Sequence, residues 1–260
     1  MRLYLAFSLI SAALLAFWVG PLLAVLLTDP AEAYLRAWSD RELIVAVGTS
    51  LACAAAAVGI GTALAVPLAY LLERKEFRGK GLVQASLALP LIVPHPVVGI
   101  ALLLVFSKRR LLGAILEGRL GIEIVGAAPG IVLAMLFVSA PLIVRAAQEG
   151  FRGVDFRLEK VAQSLGASPG QAFWHVALPG ARPAIFSGAA AAFARAVSEF
   201  GSIAVLAYFP KTAPVLIWDR FTTYGLRGAL PATAFLLMLS LVIFWLVPLF
   251  AKRRRFLDRN

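Results

Sequence analysis

Cysteine and histidine are almost missing from this chain. One cysteine, Cys53, and two histidines, His95 and His175, occur in 260 residues. A lone cysteine forms no intramolecular disulfide, and no Cys/His spacing matches a zinc site, so no metal is expected here. Phosphate-cradling loops are missing too, because the one Gly-Lys pair, Gly79 and Lys80, is followed by Gly81 and has no glycine-rich run ahead of it. Neither a GxSxG elbow nor an HExxH helix is present. Ser198 beside Glu199 comes nearest to a hydrolytic pair, yet no histidine stands in register with it. The chain is therefore expected to be no enzyme, with no catalytic residue and no cofactor of its own. Energy for any active process would come from a partner.

Charge is scarce as well. Lys, Arg, Asp and Glu make up 15% of the chain and hydrophobic residues 61%, with a mean hydropathy of +0.86. Soluble domains carry roughly 25% charged residues, so this composition describes an all-α polytopic membrane protein. The balance of 25 Lys and Arg over 14 Asp and Glu gives a net charge of +11. In a membrane protein the collection of cations in cytoplasmic loops accounts for much of that excess, and no nucleic-acid partner is needed to explain it.

What is abundant is apolar length. Runs at about 3–27, 43–72, 82–106, 127–144, 184–207 and 229–250 predict six spans in a single transmembrane domain covering 1–260. The first reads as a retained helix rather than a signal cleaved near Ala31 to Ala33. Arg74, Lys75, Arg78 and Lys80 after the second span, and Lys252 to Arg255 after the sixth, place both termini on the cytoplasmic side. Lys108, Arg109, Arg110 and Arg119, in a connection expected outside, depart from that rule; a surface helix or an anion-attracting loop are the alternatives. Pro210 and Pro214 are expected to keep the connection 208–228 irregular, with Tyr208, Phe209, Trp218, Phe221 and Tyr224 at a membrane boundary or in contact with an outside partner.

Two spans carry residues that plain lipid contact does not explain. The third holds Pro90, Pro94 and Pro96 with His95 between the last two, so it must kink or break where protein or a cavity satisfies the freed backbone groups. The fifth contains Arg195, Ser198 and Glu199, and charges at membrane depth face a cavity or one another. Arg195 and Glu199 are spaced to pair, either as part of a pathway or gate or as a structural ion pair.

Between the fourth and fifth spans lies the polar loop 145–183, whose part from Asp155 to Pro183 predicts two short helices. Asp155 is a candidate N-cap, with Leu158, Val161, Ala162 and Leu165 at helical spacing, and Gly166 supplies the stop. Ser168, Pro169 and Gln171 stand in capping-box register, and Ala172, Phe173 and Val176 are apolar until Leu178 and Pro179 end the helix. Such a pair suits docking into a groove on another protein; a solvated loop is the alternative.

Ala162, Gly166, Val176, Leu178 and Pro179 stand at the spacing of the EAA loop of ABC importer permeases. Lys160 occupies that pattern's glutamate position, with Glu159 one residue earlier, and Val161 replaces its first alanine. PLAYLLERKEFRGKG (67–81), LPLIVPHPVVGIALL (89–103) and ARAVSEFGSIAVLAYFPKTAPVLIWDRF (194–221) are similar to molybdate/tungstate permease subunits, a branch close to sulfate permeases. The resemblance implies the type I ABC importer permease fold in a prokaryotic cell membrane. It implies a second copy of the chain, a cytoplasmic ABC ATPase dimer holding ATP and magnesium, and an extracytoplasmic oxyanion-binding protein. It assigns ATPase coupling to Glu159, Lys160, Ala162, Leu165, Gly166, Ala167, Ser168, Leu178 and Pro179. His95, Arg195, Ser198 and Glu199 are the pathway or gate candidates. The competing reading is an anion transporter driven by an ion gradient.

Overall fold

In the computed structural model, residues 2–28, 34 and 37–257 are described, with side chains described for 4, 5, 7–28, 34 and 37–242. Residues 29–33, 35 and 36 of the first connection, including the considered cleavage point, lie outside them, as do the side chains of the basic run 252–255. Every regular element among the described residues is helical. In order these are α1 (Arg2–Thr28), α2 (Arg41–Arg74), α3 (Lys80–Ser86), α4 (Leu89–Ile92), α5 (His95–Phe106), α6 (Leu111–Leu120) and α7 (Ala128–Arg152). There follow α8 (Phe156–Ser164), α9 (Pro169–Ala172), a π-helical turn (Phe173–Ala177), α10 (Leu178–Val197), α11 (Gly201–Leu206) and α12 (Ala213–Leu257), which is interrupted at Gly225.

Among the described residues, four helices are long and apolar enough to cross a membrane: α1 from Phe7 to Thr28, α2, α7 and the part of α12 from Ala213 to Val242. A fifth crossing is available if Lys80–Ile92 and His95–Phe106, bent by 116° at their junction, act together. The expected proline break is thus present and larger than a kink. The bend falls at Val93 and Pro94, whose backbone is extended, and Pro94 and Pro96 flank the start of α5. α10 occupies the place of the expected fifth span but is less apolar, with Arg182 and Arg195 in its sequence and a break at Ser198 to Phe200.

Proline position decides two corrections. Pro214 does not keep the chain irregular, because it sits in the first turn of α12, where a missing N–H costs nothing. The Ala213 N–H there is taken up by Ser50 Oγ at 2.8 Å. Trp218, Phe221 and Tyr224 are therefore exposed on a helix. Likewise Leu178 and Pro179 do not end a helix. The Leu178 N–H reaches back to the Phe173 carbonyl, and the wider π turn carries the chain past Pro179 into α10. In the basic connection, α6 forms, and Lys108 Nζ lies 2.7 Å from Glu117 and 3.2 Å from Glu123.

The chain divides into two compact units, 1–47 with 216–260, and 48–215. In the first, Arg220 holds Asp40 at 2.6 Å and Glu42 at 2.9 Å, while Asp40 also accepts from the Leu43 N–H at the start of α2. The Arg220 guanidinium keeps the Asp40 carboxyl below its ordinary 3.8. Described α1 side chains are exposed almost throughout and apolar on all sides, as lipid contact demands. In the second unit, one apolar cluster joins Ala54, Leu102, Ile131, Met135, Ile203 and Leu206, and another joins Ala69, Leu72, Ile143, Phe151, Ala181 and Ile185. Small residues bring α7 and α10 together: a Cβ at Gly188 would sit 2.4 Å from Ala146 Cβ and 3.4 Å from the Leu142 carbonyl oxygen. Close backbone approach of this kind replaces the hydrophobic driving force that lipid removes.

Gly188→Val is expected to force α7 and α10 apart and cost about 1–3 kcal/mol, as overpacking does, read as a lower unfolding temperature of the detergent-solubilised protein. The Asp40 contribution is present above about pH 4, where an unfolded aspartate is ionised, and is lost as pH falls through its lower folded value. Thermal unfolding followed by tryptophan fluorescence should therefore lose less stability on acidification in Arg220→Gln than in the natural chain.

Candidate functional site

α8 is built inside out. Asp155 accepts from the Arg157 N–H at 2.9 Å and caps the helix. Leu158, Val161 and Leu165 then point outward, with Leu165 84% exposed, and Phe156 and Trp174 are exposed beside them. The residue buried completely is the carboxylate, Glu159. Its Oε2 accepts from Tyr70 Oη at 2.6 Å and its Oε1 from Arg74 Nε at 2.9 Å, with Arg74 Nη2 at 2.8 Å. Arg74 Nη2 also donates to the Val154 carbonyl at 2.9 Å. Both carboxylate oxygens are thus satisfied, which a buried charge requires.

Aromatic packing completes the anchor. The Tyr70 ring meets Phe173 edge-on at 4.8 Å and Phe151 at 5.3 Å, so the end of α2 is gripped by α7 and by the π turn. Arg74 and Lys160 both lie over the Phe156 ring, at 5.3 and 5.0 Å. Between the two short helices Gly166 has φ +98, a left-handed conformation that favours glycine, and the Ala167 N–H returns to the Ala162 carbonyl. Ser168 and Gln171 form the reciprocal capping box, at 3.2 and 2.7 Å.

The residues assigned to coupling therefore separate by placement. Lys160, Leu165, Gly166 and Ser168 are exposed, Ala162, Ala167, Leu178 and Pro179 half-buried, and Glu159 buried. Tyr70 and Arg74 were missed as members of this site. Arg74 was legible only as one cation of a basic run, and its partner lies 85 residues away.

The second cluster stands where two helices break. Arg195 Nη2 lies 2.9 Å from Glu199 Oε2 and 2.8 Å from His95 Nε2, and His95 Nδ1 lies 3.3 Å from the same carboxylate oxygen. Arg195 Nη2 also lies 3.4 Å from His95 Nδ1, so both ring nitrogens are within reach of the one guanidinium nitrogen. Glu199 is fully buried, and its Oε1 accepts from the Ser202 N–H at 3.0 Å and Ser202 Oγ at 2.7 Å. Its Oε2 has Arg195 Nη2 and His95 Nδ1 within 3.3 Å, but no hydrogen bond aligned on it.

Glycines make the approach possible. A Cβ at Gly201 would meet His95 Cβ at 2.8 Å, and one at Gly99 would meet the Ser202 carbonyl oxygen at 2.7 Å. Three of the pathway or gate candidates, His95, Arg195 and Glu199, come together. Ser198 does not, since it is exposed and its hydroxyl donates to the Arg195 carbonyl. No group of His, Cys, Asp and Glu suited to a metal ion occurs among the described residues.

Arg74→Met is expected to leave Glu159 as an unpaired buried charge and to destabilise the protein by about 3–5 kcal/mol, seen as a fall in thermal unfolding temperature. Adding Glu159→Met should restore part of that loss, because an apolar pair replaces the ion pair without stranding a charge. A double variant no more stable than the single one would reject the anchor.

The pattern of binding-protein-dependent transport system inner membrane components matches residues 61–256. The molybdate/tungstate transport system permease protein WtpB of Thermococcus kodakarensis is 43% identical over 251 residues, covering 94% of this chain and 96% of that one. The protein of the same name in Pyrococcus furiosus is 44% identical, covering 93% and 94%. A probable sulfate transport system permease of Chlorokybus atmophyticus is 35% identical, covering 86% and 80%. Among solved structures, a bacterial ABC transporter that imports the acidic polysaccharide alginate superposes with a TM-score of 0.73 over 97% of this chain and 96% of the matched chain. At 16% identity that likeness is one of fold.

Proposed function

The chain belongs to the family of binding-protein-dependent transport system inner membrane components, and from that premise we propose that it is the permease subunit of an importer for molybdate or tungstate. Two relatives more than 40% identical over nearly their whole length carry that substrate in their names, which supports the choice. Sulfate is the related tetrahedral dianion named for a relative at 35% identity.

In this reading the chain crosses a prokaryotic cell membrane six times, α10 with α11 making the fifth crossing, with both termini inside. It adopts the type I importer fold and pairs with a second copy of itself. An extracytoplasmic protein delivers the oxyanion, and two ATPase subunits on the inner side hold ATP and magnesium. The observation that carries the reading is the surface of α8. A polar loop that exposes Leu158, Val161, Leu165 and Trp174 while burying its glutamate is presenting an apolar face to another protein. Lys160, Ala162, Gly166, Ala167 and Ser168 border that face, and Leu178 and Pro179 carry its movement into α10.

Glu159 sits behind the docking surface and ties it through Arg74 and Tyr70 to α2. Closure of the ATPase pair then moves the loop and α2 as one lever and shifts the membrane helices between inward- and outward-open states. An ion-gradient-driven transporter would also use broken helices, but it gives the exposed apolar face no role.

Co-expression with an ABC ATPase and an oxyanion-binding protein from the same cell tests the proposal. The three should purify as one complex and support ATP-dependent molybdate uptake in proteoliposomes. Uptake by this chain alone, driven by an ion gradient, would overturn it. Gly166→Leu should insert normally, strain the left-handed turn by about 1–2 kcal/mol, and lower uptake at least tenfold relative to ATP hydrolysis; unchanged coupling would remove Gly166 from the lever.

A further inference from the structure

The intramembrane cluster has more built into it than an ion pair needs. Arg195 uses one nitrogen, Nη2, for both His95 and Glu199. Its Nε and Nη1 have no partner among the described residues, and the side chain is partly exposed. Glu199, by contrast, is sealed in and fixed from behind by both donors of Ser202. The oxygen it offers to Arg195 is the one without an aligned hydrogen bond. The cation is thus partly exposed with two nitrogens free among the described residues, while the anion is buried and held by Ser202 independently of it.

We propose that Arg195 is a contact site for a tetrahedral oxyanion and that Glu199 is its tethered competitor, occupying the guanidinium whenever no oxyanion is there. This rests on the oxyanion-import reading given above. The planar guanidinium presents Nε and a terminal nitrogen as parallel donors, a spacing that matches two oxygens of such an anion. When the anion engages them, Glu199 is not stranded. Its Oε1 keeps the Ser202 N–H and hydroxyl, and His95 Nδ1 remains 3.3 Å from Oε2. The exchange therefore swaps one partner of Arg195 while Glu199 keeps both hydrogen bonds on Oε1.

Charge explains the advantage. Arg195 and Glu199 carry opposite unit charges, so the empty pair offers no net charge to retain an anion. A dianion supplies twice the charge of Glu199 and displaces it, whereas a monoanion competes on equal terms. The site lies where irregular backbone at Pro94 and at Ser198 to Phe200 is brought together, and the partly exposed Arg195 side chain is open to an anion there. Weak, replaceable binding is what passage requires.

The test is tungstate binding to the purified permease–ATPase complex without binding protein, measured by titration calorimetry. Glu199→Gln keeps the Oε1 acceptor for Ser202 and removes the competing charge. It is expected to tighten tungstate binding about tenfold, with nitrate gaining much less. Glu199→Asp retains the charge but withdraws it from Arg195, and should tighten binding to a smaller degree. Adding Arg195→Gln should abolish the gain, and Arg195→Lys should keep only part of it. Normal uptake by the natural complex with no gain in either Glu199 variant would overturn this inference and leave the import reading standing. If the natural complex takes up neither molybdate, tungstate nor sulfate, the import reading fails, and the competitor with it.

Discussion

A carboxylate withdrawn from water must be repaid by charge and hydrogen bonds, and the placing of Glu159 follows from that requirement. Arg74 and Tyr70 come from the same end of α2, one turn apart, and close on the two oxygens from one side. Because both partners sit on a long helix, the loop that carries Glu159 has a fixed orientation relative to it. The apolar residues on the other side of α8 are then turned outward by default. One ion pair, with the tyrosine beside it, thus accounts for the orientation of the loop and for the face it presents.

The remainder of the second unit obeys the constraint that backbone polar groups cannot be left bare in lipid. Where α2 and α7 run unbroken, the helical ladder satisfies them. Where the chain breaks, at Val93 and at Ser198 to Phe200, the two interruptions are brought against each other by Gly99 and Gly201. The His95, Arg195 and Glu199 side chains converge at the same place. Discontinuity, close glycine packing and charge are therefore one feature rather than three.

Much of the local structure was legible because it depends on neighbours in the chain. The Asp155 cap, the left-handed Gly166 and the Ser168–Gln171 box are all fixed within four residues, and the structure holds each of them. Proline was read less well. Its effect depends on where in a helix it falls, so Pro214 begins α12 and Pro179 follows a π turn where an ending was expected. Arg195 and Glu199 were legible as a pair, being four residues apart, but the arrival of His95 from 100 residues away was not.

The sequence by itself determined that this is a helical membrane protein with a polar, helix-capped loop at 155–183, since composition, hydrophobic length and capping signals are properties of adjacent residues. Only the tertiary structure decided that Glu159 faces inward against Arg74 and Tyr70, and that His95 joins Arg195 and Glu199. Burial and charge pairing are set by which helices meet, and a helix records its own faces without recording which neighbour will cover them.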